Sequence, residues 1–351
     1  MIDEAAVRAA LTRRSAAEDM PALTEQDIAE VVIEGDWLCV VLGTAEPTKS
    51  LLERVHAHLA REQPSAEIEV RAGMLVHRGG PGWRAGGHVV AVLGGKGGVG
   101  KSTMAVNLAL TLAAMGHAVG IVDADLNAPD LPHLLGIHPK RPPKGLGWRL
   151  ATSKVLPLSQ RPRPHERLGV EVMSAAFLVP EGYAPVVNTR MLVSSLLRYL
   201  IFDVVWNADV LLIDAPPGTG EELQVIAREL PLSGALFVTT PQDLAQMDAE
   251  RTLALLTEHD VPVIGFVQNM AELTCPHCGE EIDMFAESGR LAEAGLPVIG
   301  RVPFDVELSR AADGGRPLVL GDPTGPIAYE FARIGAAVRR CLADREEGRI
   351  E

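Results

Sequence analysis

The chain has 351 residues and a formal charge of −14, with hydrophobic residues at 47% and aromatic residues at only 4%. That length exceeds one average domain and suits a large domain plus a small one, with a core built on Ala, Val, Leu and Ile. The acidic balance argues against sequence-independent nucleic-acid binding, which needs a broad basic surface.

No uninterrupted apolar stretch is long enough to span a bilayer. The acidic start Met1-Ile2-Asp3-Glu4-Ala5 lacks the apolar segment of a signal peptide. A cytoplasmic protein with neither a membrane nor a nucleic acid as partner is expected. In a reducing compartment a close cysteine pair reads as a metal ligand set or a redox pair rather than a structural disulfide.

In chain order, residues 1–76 read as a small α/β domain. Helical spacing is found over Glu4–Arg13 and Glu25–Val31, and a strand is expected over Trp37–Leu42. A helix over Ser50–Arg61 and a strand over Ala66–Val70 follow. Residues 77–87 are rich in Gly and Arg without an apolar period, a linker composition.

From residue 88 to 351 apolar runs alternate with helical ones. Strands are expected at Val89–Leu93, Ala118–Val122, Gly169–Met173, Val210–Ile213, Ala235–Thr239, Val263–Val267 and Val298–Val302. Continuous apolar runs suit strands covered on both faces, so the expectation is a doubly wound α/β domain with a mostly parallel sheet. Its ligand should sit beyond the carboxyl ends of the strands. The stretch Ile137–Leu168, dense in Pro, Arg and Lys, reads as an exposed loop.

Val89–Leu93 runs into Gly95-Lys96-Gly97-Gly98-Val99-Gly100-Lys101-Ser102-Thr103, with a helix expected over Thr103–Met115. Strand, glycine loop and helix in that order make a P-loop: backbone N–H groups converge on phosphate oxygens at a helix N-terminus. Lys101 should reach the β- and γ-phosphates, Ser102 should ligate Mg²⁺, and Thr103 should lie near the α-phosphate. Lys96, taken by its spacing, is either a solvated loop lysine or a cation that reaches a phosphate across a two-fold axis, in the manner of an arginine finger.

Three carboxylates fall where strands end. Val210–Asp214 is a Walker B pattern whose acid holds the Mg²⁺ water shell, and Ala215–Gly220 is a stiff turn suited to sensing the γ-phosphate. Asp125 is the candidate for orienting the attacking water, and Asp123 for assisting the metal. Asp130 and Asp243 read as ordinary helix caps.

Of the four cysteines, Cys275 and Cys278 form a Cys-x-x-Cys pair, while Cys39 is expected in a strand core and Cys341 in a C-terminal helix. Two thiolates are an incomplete set, since zinc ribbons and [4Fe–4S] clusters take four ligands. A two-fold axis through the site would supply the other two. The pair therefore reads as a subunit-bridging cluster, as a zinc site that includes His277, or as a redox pair. The acidic run Glu280-Glu281-Ile282-Asp283 is not expected to depress a thiol pKa, which weighs against the last.

These segments together resemble the Mrp/ApbC group of iron–sulfur cluster carrier ATPases, within the deviant-Walker class that includes MinD, ParA and nitrogenase iron protein. The resemblance rests on Gly95–Ser102, Asp123–Leu126, Asp214–Gly220, Thr239–Asp243, Asn269-Met270, Cys275–Gly279 and Val302–Asp305, and extends from about Val89 to Leu320. It implies ATP and Mg²⁺ as ligands, with Lys96 acting across a nucleotide-sandwich homodimer. It further implies that Asn269 recognises adenine with Pro303 packing nearby, and that Cys275 and Cys278 of two subunits hold one [4Fe–4S] cluster. Such a carrier passes the cluster to apo-proteins, takes it from an assembly scaffold, and hydrolyses ATP slowly.

The alternative is a MinD/ParA-like positioning or regulatory ATPase with a structural zinc at the cysteines. The mixed-charge tail Asp344–Glu351 lacks the basic amphipathic helix such a protein would use on a membrane.

Three segments depart from the family pattern. The small N-terminal domain of the family often has a cysteine after its strand, but Leu42–Lys49 has none. Leu126-Asn127-Ala128-Pro129-Asp130 replaces a Gly-Pro-Ser ending, and Val187–Met191 replaces a Trp-Arg-Gly-Pro-Met pattern. Both lie where the resemblance places the dimer face.

Overall fold

The computed structural model describes residues 2–13, 23–43, 49–72, 75–79, 87–137, 161–178, 190–275, 277–286 and 288–346. Residues 80–86 of the expected linker, the basic stretch Pro139–Lys144, Val187–Thr189 and the tail 347–351 lie outside them.

The chain begins with α1 (Glu4–Thr12) and a hairpin of β1 (Ile28–Glu34) and β2 (Trp37–Leu42), followed by α2 (Lys49–Glu62), β3 (Glu67–Ala72) and β4 (Leu75–Gly79). They form one four-stranded sheet in the order β1-β2-β3-β4, with β2 and β3 parallel and the outer pairs antiparallel. The helix expected over Glu25–Val31 is instead a single 3₁₀ turn, Glu25–Asp27, that leads into β1. The β-branched run Val31-Val32-Ile33 favours a strand, and Gly35, at φ +60°, closes a two-residue turn that pairs Glu34 with Trp37. The expected linker also starts later than residue 77, because β4 occupies 75–79 as the antiparallel partner of β3.

This sheet has two buried faces. Leu38, Val40 and Leu42 of β2 and Ile68 and Val70 of β3 pack with Val7, Leu11, Leu52, Val55 and Leu59 of the two helices. The alternate residues Trp37, Cys39, Glu69 and Arg71 are also buried. They face Arg161 and the end of helix α5 (Arg190–Phe202). Arg71 donates to Glu69 and, at 3.0 Å, to Asp203. Arg161 donates to Glu69 at 3.1 Å, with its guanidinium 4.7 Å from the Trp37 ring centre. Burial disfavours the charged Arg71 guanidinium, yet Glu69 and Asp203 hold it protonated and push its pKa up.

The remaining elements, in order, are β5 (His88–Leu93), α3 (Lys101–Ala114), β6 (Val119–Asp123), α4 (Leu131–Leu134), β7 (His165–Arg167), β8 (Val170–Ser174), α5 and β9 (Val210–Asp214). Next come α6 (Glu221–Glu229), β10 (Gly234–Thr239), α7 (Asp243–Glu258), β11 (Val263–Asn269), β12 (Glu272–Thr274) and β13 (Glu281–Asp283). The chain ends with α8 (Arg290–Glu293), β14 (Val298–Val302), α9 (Val306–Asp313), α10 (Leu318–Gly321) and α11 (Pro326–Glu346). Each strand expected beyond residue 88 is present. The short β7, inside the expected loop, was not foreseen.

The large sheet runs β14-β11-β10-β5-β9-β6-β8-β7, parallel throughout except for β7, which runs antiparallel to β8. Its central strands are buried along their whole length, as their unbroken apolar sequences require. From β5 the chain crosses to β6 and later returns with β9 between them, so the carboxyl ends of β5, β6 and β9 converge on one crevice.

Candidate functional site

The glycine loop begins where buried β5 ends. A Cβ on Gly95 would lie 2.2 Å from the Ala249 amide nitrogen, so only glycine lets the loop press on α7. A Cβ at Gly97 or Gly98 would meet nothing within 4 Å, which leaves an open cradle on that side. Gly98 and Gly100 take φ +82° and +84°, turning the chain so that α3 starts at Lys101. Val99 is buried and anchors the loop, whereas Lys96 is exposed at its crest. The turn after β9 closes on the same loop, since the Gly218 amide donates to the Gly94 carbonyl at 3.2 Å.

Asp123 and Asp214 stand opposite each other at the ends of β6 and β9. Lys101 donates to Asp214 Oδ1 at 2.5 Å and to Ser102 Oγ at 3.2 Å. Burial raises the Asp214 pKa, partly offset by the Lys101 charge. Asp123 is fully buried. Its Oδ2 accepts from the Leu131 amide at 3.1 Å and from Ser174 Oγ at 3.0 Å, while Oδ1 has no hydrogen-bond partner. Burial, and then the Asp214 charge, push the Asp123 pKa well above the usual carboxylate range.

Asp125 is half-buried, and its Oδ1 accepts from the Ala128 amide at 3.0 Å. Asn127, in the segment that departs from the family pattern, donates to Glu222 of α6 at 2.8 Å. Neither residue read as a cap makes a cap hydrogen bond. Asp130 precedes α4 without one, and Asp243 accepts from Arg290 at 2.6 and 3.1 Å and from Ser288 at 3.0 Å.

Asn269 ends β11 and donates to the Val99 carbonyl at 2.9 Å, which ties it to the glycine loop. Beside it lies a cavity of about 220 Å³, lined by Gly100, Thr103, Asn269, Met270, Pro303 and Phe304 among others. Thr103 and Pro303, far apart in sequence, thus meet in one pocket next to the phosphate cradle. An open loop, an orphaned buried carboxylate oxygen and an adjoining cavity are what a bound nucleotide with its cation needs, so the residues present fit ATP and Mg²⁺.

The cysteines occupy the turn between β12 and β13, an antiparallel pair just past Asn269 that is exposed along β13 and half-buried at Glu272 and Leu273 of β12. The Gly279 amide donates to the Cys275 carbonyl at 2.9 Å, with Gly279 at φ +75°. Cys275 is half-buried and Cys278 exposed. The Cys275 thiol lies below its ordinary pKa because backbone N–H groups of Cys278, and then His277, hydrogen-bond to it. Reading acidity from the flanking carboxylates alone missed these amides. Among the described residues no three His, Cys, Asp or Glu side chains gather as a metal site, and His277 is exposed. Cys39 is buried in β2 and Cys341 lies half-buried in α11, as expected.

A phosphate cradle on the first strand of a parallel sheet, facing two strand-end carboxylates, is the architecture of a P-loop NTPase. A protein-family model described as "ParA: NUBPL iron-transfer P-loop NTPase" matches residues 86–339, and the chain belongs to that family. It is 36% identical over 269 residues to an iron–sulfur cluster carrier protein of Methanocaldococcus jannaschii, covering 75% of this chain and 87% of the relative. It is also 38% identical over 267 residues to the mouse iron–sulfur cluster transfer protein NUBPL, covering 74% of this chain and 79% of the relative. Among solved structures it resembles a nucleotide-binding protein of Archaeoglobus fulgidus in complex with ADP, at 33% identity and TM-score 0.53, covering 70% of this chain and 91% of that one. The cell division ATPase MinD of Pyrococcus furiosus, at 22% identity and TM-score 0.52, shares the fold over 72% of this chain and 99% of its own.

Ser174, which ends β8 against Asp123, is not singled out by the sequence, and Met270, named there only beside Asn269, takes φ +54° at the junction with the cysteine hairpin. Ser174 closes a strand as the aspartates do, but a lone serine there signals nothing until the β6–β8 register is known.

Proposed function

We propose that the chain is an ATP-dependent carrier of iron–sulfur clusters. Two copies hold one [4Fe–4S] cluster between Cys275 and Cys278 of each, and deliver it to apo-proteins in the cytoplasm after loading from an assembly scaffold. The observation that carries this reading is the continuity of one short unit. β11 brings Asn269 to the glycine loop and, a few residues on, the chain presents the two cysteines on a hairpin. The names of the relatives, at 36% and 38% identity, support the same cargo.

In this reading the amides of Gly95–Ser102 and the Lys101 ammonium bind the phosphates, and Asn269 and Pro303 flank the adenine. Ser102, Asp123 and Asp214 hold Mg²⁺, which when bound neutralises phosphate charge. Asp125 orients the attacking water, and Lys96 of each copy adds positive charge at the other copy's phosphates. Lys101 must leave Asp214 to reach a phosphate, so binding exchanges one charge-assisted contact for another. That exchange suits a slow, gating hydrolysis. Residues 1–79, with a sheet and helices of their own, are the small N-terminal domain, docked through Glu69, Arg71 and Asp203.

Anaerobic reconstitution with iron and sulfide tests the reading. A brown dimer with about one cluster per two chains is expected, since one cluster takes four thiolates. Cys275→Ala with Cys278→Ala should leave a colourless protein that still binds nucleotide. A double variant that retains the cluster would sink the proposal.

A further inference from the structure

Asp123 is held by two neighbours, and one of them has a single hydrogen to give. Ser174 Oγ accepts from the Ala176 amide at 3.1 Å and lies 3.0 Å from Asp123 Oδ2, fully buried. A buried hydroxyl whose acceptor side is filled by an amide must point its proton at the remaining acceptor, and here that is the carboxylate. The Leu131 amide, at 3.1 Å, supplies the second donor to the same oxygen. Oδ2 is thereby saturated, and Oδ1, buried and without a hydrogen-bond partner, is the oxygen left for the metal's water shell.

We infer that Ser174 is a positioning residue for the magnesium–nucleotide site, acting through Asp123 by fixing which carboxylate oxygen is presented. Asp123 and Ser174 are register partners on the parallel strands β6 and β8, so their side chains meet without any loop having to close. The inference rests on the proposed role of Asp123 at Mg²⁺. It adds a residue that makes no contact with ligand and a path from the metal side to β8. Ala176, whose amide fixes the hydroxyl, lies in the 3₁₀ turn Ala175–Leu178 that directly follows β8. The orientation of Asp123 is therefore set jointly by that turn and by the start of α4.

The test is ADP binding by calorimetry on the full chain, with saturating magnesium and again with EDTA. Ser174→Ala should cut the magnesium-dependent gain in affinity by about tenfold, the scale of one hydrogen bond to a charged group. Affinity in EDTA should stay within about twofold. Ser174→Thr, which keeps the hydroxyl, should restore the gain. Ser174→Cys, a weak donor of similar shape, should not, and it serves if the alanine variant folds poorly. In an Asp123→Asn background Ser174→Ala should add nothing, as expected of one coupled pair. A Ser174→Ala loss that is equal with and without magnesium overturns the inference. An Asp123→Asn effect without a Ser174→Ala effect overturns it while leaving the metal role of Asp123 standing. An Asp123→Asn variant with an undiminished gain overturns both.

Discussion

Replacing Asp214 with asparagine separates its observed contact with Lys101 from its proposed role at the metal. In the ligand-free chain Asp214 holds Lys101 at 2.5 Å, with the two side chains 1% and 8% exposed. A charge-assisted contact in such a place is worth about 1.5–3 kcal/mol, and a neutral amide retains roughly half. The variant should therefore release Lys101 by about 1 kcal/mol, so nucleotide without magnesium should bind about fivefold tighter. Loss of the carboxylate's repulsion of phosphate acts in the same direction. With magnesium the proposed function reverses the sign, since there Asp214 also holds the metal's water shell, and the magnesium-dependent gain should shrink by about tenfold or more. Fluorescent-nucleotide titrations of the parent and Asp214→Asn chains, in EDTA and in magnesium, read both numbers. Weaker binding in EDTA would refute the claim that the Lys101–Asp214 pair competes with nucleotide. An unchanged magnesium gain would refute the metal role.

Two further substitutions probe the scaffold around the site. Gly95→Ala should abolish nucleotide binding, because its Cβ would sit 2.2 Å from the Ala249 nitrogen and 2.4 Å from the Asp248 carbonyl carbon. Gly97→Ala, whose Cβ meets nothing within 4 Å, should leave the ligand-free fold intact on calorimetric melting. Arg71→Met should cost about 3–5 kcal/mol in urea unfolding, since it leaves Asp203 buried without its cation. Adding Asp203→Leu should recover much of that loss, and a single-variant cost under about 1 kcal/mol would show the network to be dispensable.

The sequence carries more of the site than of the connections around it. Phosphate binding is legible because glycines, a lysine and a hydroxyl at fixed offsets have few other uses between a strand and a helix. Asp214 is legible for the same kind of reason, as a charge that ends the apolar run Val210–Ile213. Glu69 and Arg71 carry no such signal. Charges alternate there with Ile68 and Val70, yet both are buried. Period-two patterning separates the faces of a sheet without saying what covers the second one. Glu25–Val31 failed because a short segment can satisfy helical spacing while its β-branched residues and the following Gly35 favour a hairpin. Asn269 emerges only through family resemblance, since its contact with Val99 spans 170 residues of sequence.

The root of the cysteine hairpin is shared with the walls of the cavity beside the glycine loop, where the proposed function seats the base. Past Asn269, Met270 takes a left-handed φ of +54°, and the Ala271 amide donates to the Val302 carbonyl at 3.1 Å. On the return side the Phe304 amide donates to the Glu272 carbonyl at 2.7 Å. Asn269 and Pro303 are thus each one residue away from a backbone hydrogen bond or a strained junction that also anchors β12. A base seated between them cannot alter their separation without loading these two bonds, and β12 continues directly into Cys275. Nucleotide-dependent behaviour at the cysteines then requires no distant relay. It requires only that the seated and empty pockets prefer different spacings of β11 and β14, by as much free energy as their nucleotide affinities differ.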